Sequence, residues 1–199
     1  IDFIDVDDFI TWEEILQLAK KENRNLFIQV ISVPCDDCKA LKKTTFRDKE
    51  LSALVNTQFL ALKVYDFSEV GRALKSLYSL QSQTSALVLN TNELLFYKVG
   101  GFVDAAILKD ELNAASAKIS KYPSWQKGAA AGNLETTDWI SFLLIDAQNN
   151  IVTPNNPIIT DVSSLLDSVD FNKPEVQQFI STLAISVDNP IFQTLKKHP

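Results

Sequence analysis

Apolar and polar positions along the chain fall into blocks whose period switches between helical and extended. Thr11-Trp12-Glu13-Glu14 has the spacing of a capping box, with Thr11 as the cap and Glu14 reaching back. Ile15, Leu16, Leu18 and Ala19 then supply an apolar helix face that ends near Asn23. Asn25–Ser32 (NLFIQVIS) is nearly continuously apolar, which suits a central strand buried on both faces. Asp48 is placed to cap a helix over Glu50–Val55, and Phe59–Tyr65 (FLALKVY) is the next strand. Val70, Ala73, Leu74 and Leu77 share one face of a helix over Ser68–Tyr78. Ser85–Leu89 and Leu94–Val99 are strands joined by Asn90-Thr91-Asn92-Glu93, a good hairpin turn. Gly100-Gly101 breaks the pattern, and a long helix over Val103–Ile119 closes the unit.

The order is (β)αβαβαββα, with the opening strand left undecided. It implies an α/β fold in which a central mixed sheet carries helices on both faces. Tyr122-Pro123 marks a boundary, because the residue before proline avoids helical geometry. Beyond it every pattern is helical. Trp125–Ala131 comes first, then Thr137–Gln148 capped by Thr136 or Thr137. After a polar loop over Asn149–Pro157 come Asp161–Ser168, Pro174–Leu183 and Asn189–Lys197. The expected division is residues 1–120 as the α/β domain and 121–199 as a small all-helical region. The final Lys-Lys-His-Pro leaves open whether that region is cut short.

Composition narrows the function classes. An apolar share of 46% and a charged share of 22% are those of an ordinary globular protein. No apolar stretch approaches the ~20 residues of a membrane-spanning helix. A net charge of −6 argues against nucleic acid or an anionic membrane surface as the main partner. Lys39, Lys42 and Lys43 follow an acidic pair and read as a solvated helix face. The chain starts at Ile1 and contains no Met, so it reads as processed or trimmed, with any signal peptide or anchor lost from view.

The candidate chemistry lies in Pro34-Cys35-Asp36-Asp37-Cys38-Lys39, directly after the buried strand and at the start of a helix. Two cysteines are too few for a disulfide scaffold, and a domain of this size needs none. A zinc site wants four ligands, and the single histidine is His198, so no metal and no cofactor are expected. A helix N-terminus offers unpaired N–H groups and partial positive charge, which stabilise a thiolate at Cys35. Cys35 is expected to be the exposed attacking thiol, and Cys38, one turn on and more buried, to resolve the mixed disulfide. Asp36 and Asp37 disfavour the thiolate by like-charge repulsion, while Lys39 and the helix end oppose them. The expected balance is a pair that leans reducing. A permanent staple is the competing reading, but so short a loop removes little entropy from the unfolded chain.

These residues resemble the thioredoxin superfamily, in particular secreted or periplasmic thioredoxin-like proteins of Bacteroidetes-type bacteria. The resemblance runs over Thr11–Ala114. It is carried by Trp12-Glu13-Glu14-Ile15, Ala19-Lys20-Lys21-Glu22-Asn23, the Cys35–Lys39 motif, Phe46, Asn56, Phe59, Leu62-Lys63-Val64, Gly71, Tyr78 and Gly100. It implies a thioredoxin-like fold, protein thiols or disulfides as substrates, and a periplasmic or otherwise extracytoplasmic location. Three positions depart from the pattern. Pro34 stands where the family usually has Trp before the first cysteine. Gln29 stands where many members bury a carboxylate that accepts the resolving thiol's proton, and an amide cannot titrate. Thr84, in Gln83-Thr84-Ser85, stands where the family has the cis-proline that binds substrate backbone. A non-proline cis bond costs ~3 kcal/mol, so this peptide is expected to be trans. The tail is similar to C-terminal extensions of those bacterial proteins at Trp125-x-x-Gly128, Asp138-Trp139-Ile140 and Phe179-Ile180. Trp125 and Trp139 are expected to be packing anchors between helices.

Two functions follow. One is a thiol–disulfide oxidoreductase exchanging with protein partners through Cys35 and Cys38. The other is a thioredoxin-like protein-binding module whose cysteine pair is vestigial or regulatory. The intact pair at a helix start favours the first, and the missing proline, tryptophan and acid favour the second.

Overall fold

The computed structural model describes residues 1–6, 10–149, 170 and 172–183. They fall into two compact units, Ile1–Ala117 and Lys118–Pro199. The first contains β1 (Ile4–Val6), α1 (Trp12–Glu22), β2 (Asn25–Ile31), α2 (Asp36–Lys43), a 3-10 turn (Thr45–Arg47), α3 (Lys49–Gln58), β3 (Phe59–Tyr65), α4 (Glu69–Leu77), β4 (Thr84–Leu89) and β5 (Leu95–Gly100). The undecided opening strand is real, a short edge strand running parallel to β3.

Local chemistry starts and stops these elements much as the residue types require. The Glu14 N–H donates to Thr11 Oγ1 at 3.2 Å, and the Thr11 N–H donates to Glu14 Oε2 at 2.9 Å, completing the capping box of α1. Asn23, at φ 52°, ends that helix in the left-handed conformation that Asn tolerates. Asp48 accepts the Leu51 N–H at 2.8 Å and caps α3. In the β4–β5 turn, Asn90 Oδ1 accepts the N–H groups of Asn92 (2.9 Å) and Leu94 (3.0 Å), an Asx-type turn.

The strand order is β1-β3-β2-β4-β5, with β2 parallel to β3 and antiparallel to β4. From Leu26 onward every residue of β2 is buried, as its unbroken apolar run predicts. Its side chains alternate between two cores. Leu26, Ile28 and Val30 join Ile15, Ala19, Leu62 and Leu74 on the side of α1 and α4. Phe27 points the other way, into a cluster of rings with Phe3, Phe46 and Phe59 at centroid distances of 5.2–6.5 Å. Gln29 lies on this second face, and Leu108 and Leu112 are fully buried.

The long helix α5 runs Ala105–Ala131 without interruption, with Pro123 inside it. The expected break at Tyr122-Pro123 and the separate helix from Trp125 are therefore corrected. A proline inside a helix costs ~3 kcal/mol or more. Tyr122 and Trp125 flank it at 3% and 4% exposure, and burying a large apolar side chain is worth about 1.5–3 kcal/mol. Two such side chains offset the proline. Ser124 Oγ also donates to the Lys121 carbonyl at 2.6 Å, beside the missing hydrogen bond.

The second unit continues with α6 (Thr136–Gln148) and α7 (Pro174–Leu183). Its described elements are all helical, and α7 begins on Pro174 as expected. The N-cap of α6 is Glu135, with no side-chain cap bond, rather than Thr136 or Thr137. The expected loop over 150–157 and the helices at 161–168 and 189–197 lie outside the described residues. Trp125 and Trp139 are buried, and Trp139 packs edge-on against Phe142 at 6.1 Å. Phe142 also meets Tyr122 at 5.7 Å, so aromatic contacts tie α5 to α6.

Tyr122 also donates its hydroxyl to Asp146 Oδ1 at 2.5 Å, with both residues buried. Burial pushes the Asp146 carboxyl above its usual range, and the Tyr122 hydrogen bond opposes this. A carboxyl raised on folding adds stability at acid pH that is lost as pH rises through its folded pKa. Asp146→Asn keeps an oxygen for Tyr122 and removes the charge. It is expected to raise the melting temperature by about 2–4 °C at pH 7. Thermal unfolding followed from pH 7 to pH 3.5 should show the gap closing as the wild-type carboxyl protonates.

Candidate functional site

The ends of the strands decide where the chemistry sits. The parallel strands β2 and β3 both finish at one end of the sheet. The start of β4 is there too, because Ile31 lies opposite Thr84 and Tyr65 in the ladders. The chain leaves β2 through Ser32, Val33 and Pro34 and enters α2 immediately. Cys35 is the N-cap of α2, and its sulfur accepts the Cys38 N–H at 3.1 Å. Cys35 and Cys38 form a disulfide with Cα atoms 5.3 Å apart. The sulfur therefore occupies the place that an oxygen holds in an ordinary helix cap, against the positive end of the helix.

Exposure runs opposite to expectation. Cys35 is 6% exposed, whereas Cys38 is half-buried. The cap itself explains this, since the Cys35 side chain folds back over the helix end. Asp36 and Lys39 form an exposed ion pair at 2.8 Å, and this bond holds the Asp36 carboxyl below its usual range. Asp37, half-buried, has its Oδ2 3.4 Å from the point where a Cβ on Gly101 would stand. At φ +82°, Gly101 has the backbone conformation that glycine favours, which lets the chain turn beside this carboxylate.

On β2 and at the start of β4, Gln29 and Thr84 are 4% and 1% exposed, and Gln29 Nε2 donates to Thr84 Oγ1 over a long 3.4 Å. The two departures at these positions are thus neighbours, an amide paired with a hydroxyl in a neutral interior. Val33–Pro34 is the cis peptide among the described residues, and Gln83–Thr84 is trans. The Gln83 carbonyl accepts the Ser32 N–H at 2.7 Å, and the Thr84 carbonyl accepts the Gly101 N–H at 2.8 Å. These bonds tie the start of β4 to both the cysteine loop and the end of β5.

One polar group at this end escaped the sequence reading. Ser32 Oγ donates to Asp66 Oδ2 at 2.5 Å, and Lys75 Nζ donates to the same oxygen at 2.9 Å. The Asp66 N–H also reaches the Ile31 carbonyl at 2.9 Å. These bonds anchor the base of the cysteine loop to the β3–α4 connection. Ser32 and Asp66 each directly follow a parallel strand, and that placement was the available signal. Three apolar residues are exposed at the same end: Val33 and Phe67 at 66% and Phe102 at 47%. Among the described residues no cluster of potential metal ligands occurs, and no helix is long and apolar enough to cross a membrane.

A five-stranded mixed sheet with a disulfide capping the helix after its central strand defines a thioredoxin-like domain. Residues 5–87 match the profile of the family Thioredox_DsbH, described as a protein of unknown function, DUF255. The chain is similar to a candidate disulphide-isomerase from Bacteroides thetaiotaomicron, at 25% identity and a TM-score of 0.53. That match covers 58% of this chain and 93% of the other. The oxidised C-terminal domain of Neisseria meningitidis DsbD matches at 15% identity and TM-score 0.49, covering 56% of this chain and 98% of that one. A Thermus thermophilus thioredoxin matches at 18% identity and TM-score 0.49, covering 59% and 90%. Among curated proteins none is detectably similar. The N-terminal unit thus has the fold of thioredoxin-like disulfide oxidoreductases and carries their Cys-x-x-Cys pair at Cys35 and Cys38.

The anchor at Asp66 can be tested by titration. Hydrogen bonds from Ser32 and then Lys75 hold its carboxyl below the usual range. A lowered carboxyl contributes stability above its unfolded pKa that is lost as pH falls through the folded value. Asp66→Asn is expected to cost about 1–2 kcal/mol at pH 7. In urea unfolding, the difference from wild type should shrink as pH falls below the unfolded value and through the folded one.

Proposed function

We propose that this domain exchanges disulfides with protein partners through Cys35 and Cys38, working mainly as their reductant. The observation that carries the reading is the Cys35 sulfur capping α2, where the Cys38 N–H and the helix end stabilise a thiolate. In the reduced form the Cys35 thiolate attacks one sulfur of a partner disulfide, and the other partner sulfur leaves as a thiolate. The Cys38 thiol then loses its proton and attacks the Cys35 sulfur, releasing the second partner thiolate. Two electrons pass to the partner, whose thiolates take up two protons, and the Cys35–Cys38 disulfide remains. A dithiol donor, oxidised in turn, restores the pair by the reverse sequence.

Gln29 cannot accept the Cys38 proton, so solvent takes it in this scheme. The acidic pair between the cysteines supports the reducing lean, because negative charge beside a thiolate stabilises the disulfide relative to the dithiol. We assign the chemistry to residues 1–120, with the exposed Gln83 and the backbone at Thr84 facing the partner while the Thr84 side chain stays buried. The resemblance to secreted and periplasmic thioredoxin-like proteins supports an extracytoplasmic location. The low exposure of Cys35 favours a second reading, a protein-binding module whose disulfide does not turn over.

Reduction of insulin by dithiothreitol separates the two. Wild type is expected to raise the turbidity rate several-fold over Cys35→Ser, and equal rates would leave only the binding module. A Cys38→Ala chain should trap partners as mixed disulfides on Cys35. Trapping on Cys38 in Cys35→Ala instead would reverse the two roles. Glutathione titration should place the pair nearer ~−270 mV than the ~−120 mV of a strong oxidant.

A further inference from the structure

Of the two carboxylates between the cysteines, only one is neutralised. Asp36 is paired with Lys39 at 2.8 Å, and both are exposed. The Asp37 carboxylate makes no hydrogen bond and no ion pair among the described residues, yet the residue is half-buried. Its Oδ2 faces Gly101, 3.4 Å from where that residue's Cβ would be, at the corner leading from β5 to Phe102. Phe102 is 47% exposed, and Val33, on the loop before Cys35, is 66% exposed. An approaching partner sulfur therefore arrives beside one uncompensated carboxylate and two open apolar side chains.

We propose that Asp37 selects the partner. It favours extended protein segments with a Lys or Arg next to the reacting cysteine and apolar residues flanking the pair. The inference rests on the exchange reading above and names its substrate class. The net charge of −6 attracts any basic partner from a distance. Asp37 acts locally, on the residue adjoining the exchanging sulfur. Asp36 shares that general field but not the local preference, because Lys39 already occupies it.

The test uses the full chain, reduced beforehand and freed of excess reductant. Its substrates are two disulfide-linked peptides, identical except for Lys or Glu beside the cysteine. Each turnover moves two electrons and two protons from the Cys35 and Cys38 thiols to the peptide disulfide, leaving two peptide thiols and the chain's own disulfide. Wild type is expected to reduce the Lys peptide about 3–10-fold faster than the Glu peptide at low salt, with the ratio falling in 0.5 M salt by about half or more. Asp37→Asn should cut the low-salt ratio by more than half, leaving what the net charge alone supplies, whereas Asp36→Asn, which changes the net charge equally, should keep most of it. Because a ratio is read, any common effect of these substitutions on thiol reactivity cancels. A ratio unmoved by Asp37→Asn, or reduced equally by Asp36→Asn, overturns the proposal while exchange itself stands. If wild type reduces neither peptide, the exchange reading falls and takes the inference with it.

Discussion

The central strand has no solvent face, and that constraint organises the rest. With β3 on one side and β4 on the other, the backbone of β2 is committed to two ladders, and its side chains to two cores. A strand so placed can leave the sheet only at its end, and α2 starts almost at once. The sulfur of Cys35 therefore meets the helix start at a position fixed by burial well away from it. Ser32, Asp66 and Lys75 extend the same control into the loop, because their hydrogen bonds join the ends of the two parallel strands.

How much of this could be read from residues alone varied with the range of the interaction. The cap of α1 by Thr11, the cap of α3 by Asp48 and the Asn90 turn are local, and each appears where its residue types place it. The burial of β2 was equally plain, since a strand with no polar face has nowhere else to go. The cysteine pair at a helix start was also legible, because both sulfurs and the helix end lie within one short segment. The Asp66 anchor was not, because its partners are far apart in sequence and meet only once β2 and β3 are paired. Pro123 shows tertiary packing overruling a local rule, since the buried rings of Tyr122 and Trp125 hold a helix that proline disfavours. The exposure of the cysteines was misjudged for a geometric reason. A capping side chain folds over the helix end, and spacing along the chain does not reveal that fold.

The electrostatics of the site are divided by depth. In the buried interior, Gln29 and Thr84 form a neutral pair. Around the cysteines in sequence stand the exposed Asp36–Lys39 ion pair, the carboxylate of Asp37 and the exposed apolar side chain of Val33. Charge at this end of the sheet thus lies in the exposed Asp36–Lys39 pair, in Asp37 and in the part-buried Asp66–Lys75 pair, while Gln29 and Thr84 contribute only a neutral contact.

The Gln29–Thr84 contact has a bearing on how the domain tolerates a change of oxidation state. A carboxylic acid sealed behind a dithiol would have to hold or shed a proton each time the sulfurs separate or join, straining the core in one form or the other. An amide against a hydroxyl has no such ledger to balance. In the exchange proposed above, neither side chain of this contact would gain or lose a charge as the sulfurs join or part.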